Sequence, residues 1–370
     1  MGNIKSIGFP RIDKEISEKR DFTPEFFENL VGNNLLVLEK GYGEKLGFTE
    51  SAYTEANEHI TFREREEVFK SDVLIVIRSP ELEWLHKMRD GSTLISMLHY
   101  ETRPKYLKVL EDKKINAFSL DAIMDDANKR LVVTYELTAF AGVKSAFEAH
   151  KNLIDSNQKI DGPLTVSIVG IGNLGVLSGR FSFEMYRNLN YEQLGFKGIV
   201  VRYLEKDITQ HHSSMEKQLR DTDILIDATR RPDPTQVIIP NNLISSLSEN
   251  AVILDLSADP YDMVNGKIQL KAIEGIPHGT LDKYVFEKQD RFVKNMIPES
   301  VQSEHFRSTV SCNAWPGVLP KECMDIYSEK MLPLVNLLIR QDFQVESDSS
   351  DFYERALFRS TILYHKTTQA

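Results

Sequence analysis

Residues 164–175 have the sequence LTVSIVGIGNLG, in which six mostly apolar residues lead directly into three closely spaced glycines. An apolar run of this length predicts a buried strand over 164–169, and the spacing of residues 176–186 predicts a helix after the glycines. Strand, glycine turn and helix in this order are typical of the first βα unit of a dinucleotide-binding domain.

Each glycine of this loop has a physical role in holding a dinucleotide. Gly170 permits a tight turn, Gly172 lets backbone N–H groups approach a pyrophosphate, and Gly175 allows the helix to pack closely. The phosphates then lie at the helix N-terminus, where N–H groups attract anions. The candidate cofactor-binding residues are therefore Gly170, Ile171, Gly172, Asn173, Leu174 and Gly175. The alternative is a purely structural turn, because glycine triplets also occur in ordinary loops.

The choice between NAD and NADP depends on the end of the next predicted strand. An acidic side chain there binds the ribose 2′-hydroxyl of NAD, whereas an arginine accommodates the 2′-phosphate of NADP. The sequence offers both Arg202 and Glu205 after the apolar residues 199–201. Both remain candidates, so the expected cofactor is NAD or NADP.

Short apolar runs alternate with helical patterns along the chain, which is typical of α/β proteins with largely parallel sheets. Strands are predicted at 4–9, 35–38, 73–77, 94–98, 199–203, 224–227 and 252–256, and a long connecting helix at 134–154. We expect two Rossmann-like domains with a cleft between them. Residues 1–133 and 308–370 are expected to form the substrate domain, and residues 134–307 the nucleotide-binding domain.

The composition disfavours several classes of partner. The chain has 370 residues, and its 55 acidic and 45 basic side chains give a net charge of −10. This field repels phosphate backbones and anionic lipid surfaces, and no apolar run approaches the roughly 20 residues that span a bilayer. The two cysteines, Cys312 and Cys323, provide no disulfide framework. We expect a cytoplasmic protein without a nucleic-acid or membrane partner.

Three basic side chains are candidates for substrate chemistry. Arg20 precedes a helix predicted to open at Thr23-Pro24, and arginine binds carboxylates in a bidentate manner, although a solvated loop charge is the ordinary alternative. Arg78 and His99 follow two predicted strands, where ligands bind in open α/β sheets. A histidine can carry a proton in either direction, or it can be a hydrogen-bonded structural residue.

The other potentially reactive residues indicate no further site. His211 and His212 are adjacent in a polar segment, without cysteines or carboxylates at a metal-binding spacing. Cys312 and Cys323 are expected to be small core residues. We therefore expect no metal.

Several motifs, in order along the chain, resemble those of one group of enzymes. They are Gly8-Phe9-Pro10, Lys14-Glu15, Arg20, Thr23-Pro24, EKGYG at 39–43, Gly47-Phe48, Leu98-His99, AFAG at 139–142, DLSAD at 255–259 and WPGVLPKE at 315–322. Together they resemble the superfamily of alanine dehydrogenase and the nicotinamide nucleotide transhydrogenase N-terminal domain. That group includes the lysine-forming saccharopine dehydrogenase and N5-(carboxyethyl)ornithine synthase.

The resemblance implies a role for each matching residue. It implies that Arg20 clamps a substrate carboxylate, that His99 is the general acid and base, and that Asp259 lies near the nicotinamide ribose or the reacting centre. Asn313 falls where saccharopine dehydrogenase has an acidic residue close to the nicotinamide. Arg78 departs from the pattern, because it stands where the family has its catalytic lysine.

The departure at Arg78 limits the chemistry, since arginine cannot be deprotonated in proteins. Either His99 transfers protons alone and Arg78 gives electrostatic support, or the substrate differs from those of the familiar members. An extra guanidinium suits a second carboxylate, as in an opine-type product.

The predicted function is reversible, NAD(P)-dependent reductive amination of a 2-oxo acid by an amine, through an imine and hydride transfer. One alternative is a simple amino acid dehydrogenase that uses ammonia. Another is a nucleotide-binding regulatory protein without catalysis. The expected partners are small-molecule substrates, and a homo-oligomer is compatible with the resemblance.

Overall fold

The structure is a computed structural model that describes residues 4–12, 14–154, 160–231, 233–264, 266–290 and 293–369. The chain forms two compact units, one of Met1–Thr134 with Pro320–Ala370 and the other of Tyr135–Leu319. The first boundary lies one residue from the predicted one. The second lies at 319/320 rather than at 307/308, because the strand Ser308–Ser311 pairs with Val252–Asp255 of the second unit.

The first unit begins with a six-stranded parallel sheet. Its strands are β1 (Ser6–Phe9), β2 (Leu35–Glu39), β3 (Ile60–Arg63), β4 (Val73–Arg78), β5 (Thr93–Met97) and β6 (Asn116–Ser119). The helices among them are α1 (Pro24–Glu28), α2 (Glu50–Ala56), α3 (Arg65–Val68), α4 (Leu82–Lys87) and α5 (Pro104–Asp112). The strand order is β3-β2-β1-β4-β5-β6, so the winding reverses between β1 and β4. Ligands bind at the carboxyl ends of strands at such a switch point.

Aromatic side chains hold the segment between β1 and α1. Phe9 ends β1 fully buried, and its ring meets that of Phe27 in α1 with centroids 4.8 Å apart. The backbone N–H of Phe22 donates to the Tyr42 hydroxyl at 3.0 Å, and the Tyr53 hydroxyl donates to the Phe22 carbonyl at 2.9 Å. This packing anchors the segment that carries the charged residues of the site.

The second unit opens with the predicted long helix, α6 (Tyr135–Leu153), and contains a second six-stranded sheet. The strands of this sheet are β7 (Leu164–Val169), β8 (Ile199–Leu204), β9 (Ile224–Asp227), β10 (Val252–Asp255), β13 (Val285–Phe286) and β14 (Ser308–Ser311). Between β10 and β13, β11 (Met263–Val264) and β12 (Lys267–Ile268) form a separate antiparallel hairpin. The intervening helices are α7 (Asn173–Asn188), α8 (Lys206–Thr209), α9 (His212–Arg220) and α10 (Asn241–Ile244). The sheet order is β13-β14-β10-β9-β7-β8, and its pairs are parallel except β13 with β14.

Helix α6 packs directly on this second sheet. Its buried residues include Val143 and Phe147, which share one core with Val166 of β7 and Leu254 of β10. A Cβ atom at Gly142 would lie only 2.4 Å from a Leu256 methyl carbon, so glycine permits the close approach of helix and sheet.

The chain then returns to the first unit through α11 (Pro320–Arg340), α12 (Phe352–Arg359) and α13 (Ile362–Gln369). The backbone N–H of Ser119, at the end of β6, donates to the Ser360 carbonyl at 2.8 Å, which ties this tail to the first sheet. No helix in the described parts of the chain has both the length and the apolar character needed to cross a membrane. The expectation of an α/β fold with two parallel, Rossmann-like sheets and a first unit built from both chain ends is confirmed.

Candidate active site

The glycine loop has the predicted strand, turn and helix. Gly170 follows β7 with φ +98°, a left-handed conformation that favours glycine, and a Cβ there would lie 2.8 Å from the Ala228 carbonyl oxygen. A Cβ at Gly175 would lie 2.1 Å from the Gly170 carbonyl oxygen. Packing within the protein therefore explains these two glycines.

Gly172 has no such internal explanation. Its φ of −71° suits any residue, and a Cβ there would meet no protein atom within 4 Å. The residue precedes the 16-residue helix α7, whose first turn carries no acidic side chain and whose N-cap supplies no side-chain hydrogen bond. The N–H groups of Asn173 and Leu174 belong to this open first turn, and Ile171 is exposed. A helix end of this kind fits a phosphate group.

The two candidates for nucleotide selection have different surroundings. Arg202, in the middle of β8, donates to the Gln218 side chain at 2.9 Å and to the carbonyls of Gln218 and Asp221 at 3.0 and 3.2 Å. Glu205 is exposed directly after β8, and Leu204 is in register with Val169 beside the glycine loop. The guanidinium of Arg202 is thus held by helix α9, whereas the Glu205 carboxylate is available next to the loop.

Asp259 follows β10 in a turn that is held by buried charges. The Lys271 ammonium donates to Asp255 Oδ2 at 2.6 Å and to the Asp259 carbonyl at 2.8 Å, and the Lys271 and Asp255 side chains are fully buried. Asp255 also accepts from the backbone N–H of Ala258, which has φ +56°. The Asp259 carboxylate is about one-third exposed and pairs with the Arg231 guanidinium.

Two carboxyl groups lie side by side at the ends of β9 and β10. Asp227 and Asp255 are partners in the parallel register, and both are buried. Burial raises the pKa of Asp227 above its usual range, and the Asp255 charge adds to this effect. Burial also opposes ionisation of Asp255, but the Lys271 ammonium outweighs it and lowers the pKa of Asp255. Asn313 follows β14, the next strand of the sheet, and its backbone N–H donates to the Gly279 carbonyl at 3.0 Å.

The first unit has a charged cluster at the carboxyl ends of β1 and β4. Arg78 ends β4, and its Nη1 lies 2.8 Å from Glu15 Oε1 and 3.4 Å from Glu18 Oε2. Glu18 is fully buried, which favours its neutral form, but the guanidinium groups of Arg20 and Arg78 lower its pKa to about 2. The Arg78 side chain retains about one-fifth of its exposure, more than the 5% of Arg20.

Arg20 is buried, and the interpretation of an exposed loop charge is wrong. Its Nε and Nη2 donate to the two oxygens of Glu18 at 2.8 and 2.6 Å, and 6% of the residue is exposed. Its charge also acts on Cys323 and Tyr327 of α11. The bidentate face that the resemblance assigns to a substrate carboxylate is therefore occupied by a carboxylate of the protein itself.

His99 stands after β5 in a strained conformation and pairs with an aspartate that the sequence analysis missed. Its φ is +48°, its Nδ1 lies 3.3 Å from Asp121 Oδ2, and its backbone N–H donates to Asp121 Oδ1 at 3.1 Å. The Ser119 hydroxyl donates to the same carboxylate at 2.7 Å. Burial opposes ionisation of Asp121, yet the hydrogen bond and charge of His99 hold its pKa well below the usual range. Strained residues of this kind cluster at functional sites.

The remaining expectations concern metals and thiols. The part of the chain that the structure describes contains no group of three or more His, Cys, Asp or Glu side chains placed to hold a metal ion. His211 and His212 are exposed. Cys312 and Cys323 are buried, as predicted for core residues, and burial raises the pKa of Cys323 to about 12.

The fold and these residues define a class: a two-unit α/β protein with a dinucleotide-type glycine loop in one unit and a histidine–aspartate pair in the other. Comparison of the sequence with protein-family models shows that residues 12–141 match the family described as alanine dehydrogenase/PNT, N-terminal domain. The resemblance inferred from the sequence is thereby confirmed.

Individual proteins of known sequence show a similar relationship. The chain is 22% identical to the NAD(P) transhydrogenase subunit alpha of Haemophilus influenzae over 287 residues, 68% of this chain and 56% of that one. It is also 22% identical to the N(5)-(carboxyethyl)ornithine synthase of Clostridium botulinum over 265 residues, 70% of this chain and 77% of that one. The chain thus spans little more than half the length of its transhydrogenase relative.

Among solved structures, an L-alanine dehydrogenase superposes with a TM-score of 0.69 at 16% identity, covering 96% of this chain and 94% of the other. At that identity the match shows a shared fold over nearly the whole chain.

Proposed function

We propose that this protein is an NAD(P)-dependent oxidoreductase that joins a 2-oxo acid and an amine by reductive amination. The observation that carries the proposal is Gly172, whose missing side chain leaves open space in front of helix α7 and serves no packing need of the protein. A pyrophosphate fits that space and the helix end behind it. The bound dinucleotide supplies or accepts the hydride.

Residues of the first unit perform the acid–base part of the reaction. Asp121 holds the Nδ1 side of His99 and leaves Nε2 for proton transfer. Nε2 gives a proton to the departing hydroxyl of the carbinolamine as the imine forms, and takes it back in the reverse reaction. Arg78 binds the substrate carboxylate, which is supported by its side-chain exposure of 18% against 5% for Arg20. Its contacts with Glu15 and Glu18 are made through Nη1 alone, whereas both Nε and Nη2 of Arg20 donate to Glu18. Arg20 acts indirectly, by keeping Glu18 ionised beside Arg78.

The preferred cofactor is NAD. The exposed position of Glu205 directly after β8 supports its role as acceptor for a ribose 2′-hydroxyl, and the hydrogen bonds of Arg202 to helix α9 argue against a contact of its guanidinium with a 2′-phosphate. Asp259 and Asn313 follow the neighbouring strands β10 and β14 and stay proposed contacts near the nicotinamide.

The test is a panel of NADH and NADPH oxidation, followed by absorbance, with glyoxylate, pyruvate, oxaloacetate or 2-oxoglutarate, each with ammonia, lysine, ornithine or no amine. Turnover that requires both a 2-oxo acid and an amino acid is expected. Turnover of a 2-oxo acid with ammonia, but with neither lysine nor ornithine, would instead make the protein an amino acid dehydrogenase. Dinucleotide binding without turnover anywhere in the panel would contradict the proposal.

A substitution of His99 tests whether this residue acts in proton transfer rather than in cofactor binding. His99→Gln is expected to lower kcat by roughly 100-fold or more, the usual contribution of a general acid–base residue, and to leave NADH affinity unchanged. Unchanged kcat at saturating substrate would remove His99 from the mechanism.

A further inference from the structure

Asp227 carries a buried carboxyl group at the edge of the sheet where the glycine loop begins. It ends β9 in register with Val169, the last residue of β7, which directly precedes Gly170. The carbonyl oxygen of the next residue, Ala228, lies 2.8 Å from the position of a Cβ at Gly170. Only 1% of Asp227 is exposed. A phosphate bound at the loop is therefore expected near this carboxyl group.

The two oxygens of the Asp227 carboxyl group have unequal surroundings. Oδ1 accepts from the Thr229 backbone N–H at 3.0 Å and from the Thr229 hydroxyl at 2.7 Å. Oδ2 is buried and has no hydrogen-bond partner in the described parts of the chain. A buried carboxylate needs donors or a cation for both oxygens, and here one oxygen lacks them. A proton on Oδ2 removes the charge and leaves the bonds from Thr229 in place.

The charged side chains around Asp227 also disfavour its ionised form. No described residue forms an ion pair with it. Its partner on β10 is the Asp255 carboxylate, and its neighbour on β7 is apolar. The Lys271 ammonium is bound to Asp255 at 2.6 Å, and the Arg231 guanidinium pairs with Asp259. Burial raises the pKa of Asp227, the Asp255 charge adds to the increase, and the Arg231 charge opposes it only in part.

We propose that Asp227 takes up a proton when a dinucleotide binds, and that dinucleotide affinity therefore decreases as the pH rises. This inference rests on the proposed function, in which a pyrophosphate lies at Gly172 in front of α7. The pyrophosphate is a dianion, and its charge opposes ionisation of a carboxyl group beside the loop. By linkage, the dinucleotide binds more tightly at a pH at which Asp227 is already neutral.

Titration calorimetry of the full chain with NADH and with ADP-ribose, between about pH 5 and pH 9, measures this linkage. Pairs of buffers with different ionisation enthalpies give the number of protons taken up. In the unmodified protein, affinity should fall by roughly five- to tenfold as the pH rises, the effect of a unit charge that faces a dianion several ångströms away. The uptake should reach roughly 0.4 proton per ligand or more.

Asp227→Asn is the diagnostic variant, because asparagine retains an acceptor for Thr229 and cannot ionise. The part of the uptake and of the pH dependence that comes from Asp227 should be absent in this variant. Asp223→Asn is the matched control. Asp223 lies just before β9, at the other end of the strand, where it accepts from the Thr165 backbone N–H at 2.7 Å and where burial also raises its pKa. This control should retain the uptake of the unmodified protein.

Unfolding of the ligand-free proteins tests the protonation itself. Because the pKa of Asp227 is raised in the folded chain, the folded chain keeps this proton at pH values at which the unfolded chain has lost it. The free energy of unfolding therefore decreases as the pH rises through the raised pKa, and Asp227→Asn should lack that part of the decrease. An identical pH dependence of unfolding in both proteins would overturn the inference. Absence of proton uptake by the unmodified protein would overturn it without any variant.

Failure of the proposed function has a different signature. NADH binding with Asp227-dependent proton uptake, but without turnover of any 2-oxo acid, would support this inference and refute reductive amination. Turnover, together with equal proton uptake in Asp227→Asn and the unmodified protein, would support the reaction and refute this inference. Absence of dinucleotide binding would overturn both.

Discussion

Replacement of Glu205 by serine should change the cofactor preference from NADH toward NADPH. In NADH, the ribose 2′-hydroxyl loses a hydrogen bond to a charged acceptor, about 1.5–3 kcal/mol, or roughly 10- to 150-fold in affinity. In NADPH, the 2′-phosphate no longer faces a carboxylate. At 4 Å in water each pair of unit charges repels by about 1 kcal/mol, so a phosphate of charge near −2 gains about 2 kcal/mol, or roughly 30-fold.

The assay is titration calorimetry of both dinucleotides with the unmodified protein, Glu205→Ser and Asp207→Asn. Asp207 is exposed two residues further along and provides the same change of charge without the position beside the glycine loop. The NADH-to-NADPH affinity ratio should fall by roughly 300-fold or more in Glu205→Ser, the combined effect of the two changes. A ratio that stays within about threefold, or an equal change in Asp207→Asn, would refute the placement of the ribose at Glu205.

Three further predictions follow from the geometry. Gly172→Ala should weaken dinucleotide binding by roughly 10-fold or more and leave the Tm unchanged. Gly175→Ala should weaken binding and also lower the free energy of unfolding by about 1–3 kcal/mol, because its Cβ would lie 2.1 Å from the Gly170 carbonyl oxygen. Calorimetry measures the change in binding, and thermal melts measure the change in stability. Asp121→Asn should lower kcat by roughly 100-fold with NADH affinity unchanged, since His99 loses the carboxylate at its Nδ1; steady-state kinetics checks it, and unchanged kcat would contradict it. Burial lowers the pKa of His150 from 6.5 to about 4. As the pH falls, the unfolded chain therefore gains this proton before the folded chain does, and the free energy of unfolding should decrease by about 3 kcal/mol between pH 6.5 and pH 4. Urea titrations at several pH values should show that His150→Phe lacks this part of the decrease, and an identical pH dependence in the variant would argue against a neutral buried His150.

The elements with strong local signals could be predicted from the sequence. The glycine loop, the strands around it and helix α6 have apolar runs or spacings long enough to identify them, and Leu164–Val169 matches the predicted strand in full. Strands β3 and β6, with sequences ITFR and NAFS, were missed, because four residues of mixed polarity give no clear period. The second domain boundary depends on a strand pairing that local patterns do not contain.

The site was predicted less completely, because ion pairs join residues across the chain. The pairing of Arg20 with Glu18 has a local signal, two residues apart, but its burial depends on α11, some 300 residues further along. Asp121 pairs with His99 only because β5 and β6 are neighbours in the sheet. An acidic residue following the next strand was a signal available in the sequence, and it would have been informative once β6 was recognised.

The most direct test of reductive amination is the fate of deuterium from [4-²H]NADH in a reaction with a 2-oxo acid and an amino acid, read by mass spectrometry. The account predicts one deuterium on the carbon that joins the former 2-oxo acid to the amine nitrogen. Deuterium in a 2-hydroxy acid, formed equally without the amine, would show that the protein reduces a carbonyl rather than an imine and would contradict the proposed reaction.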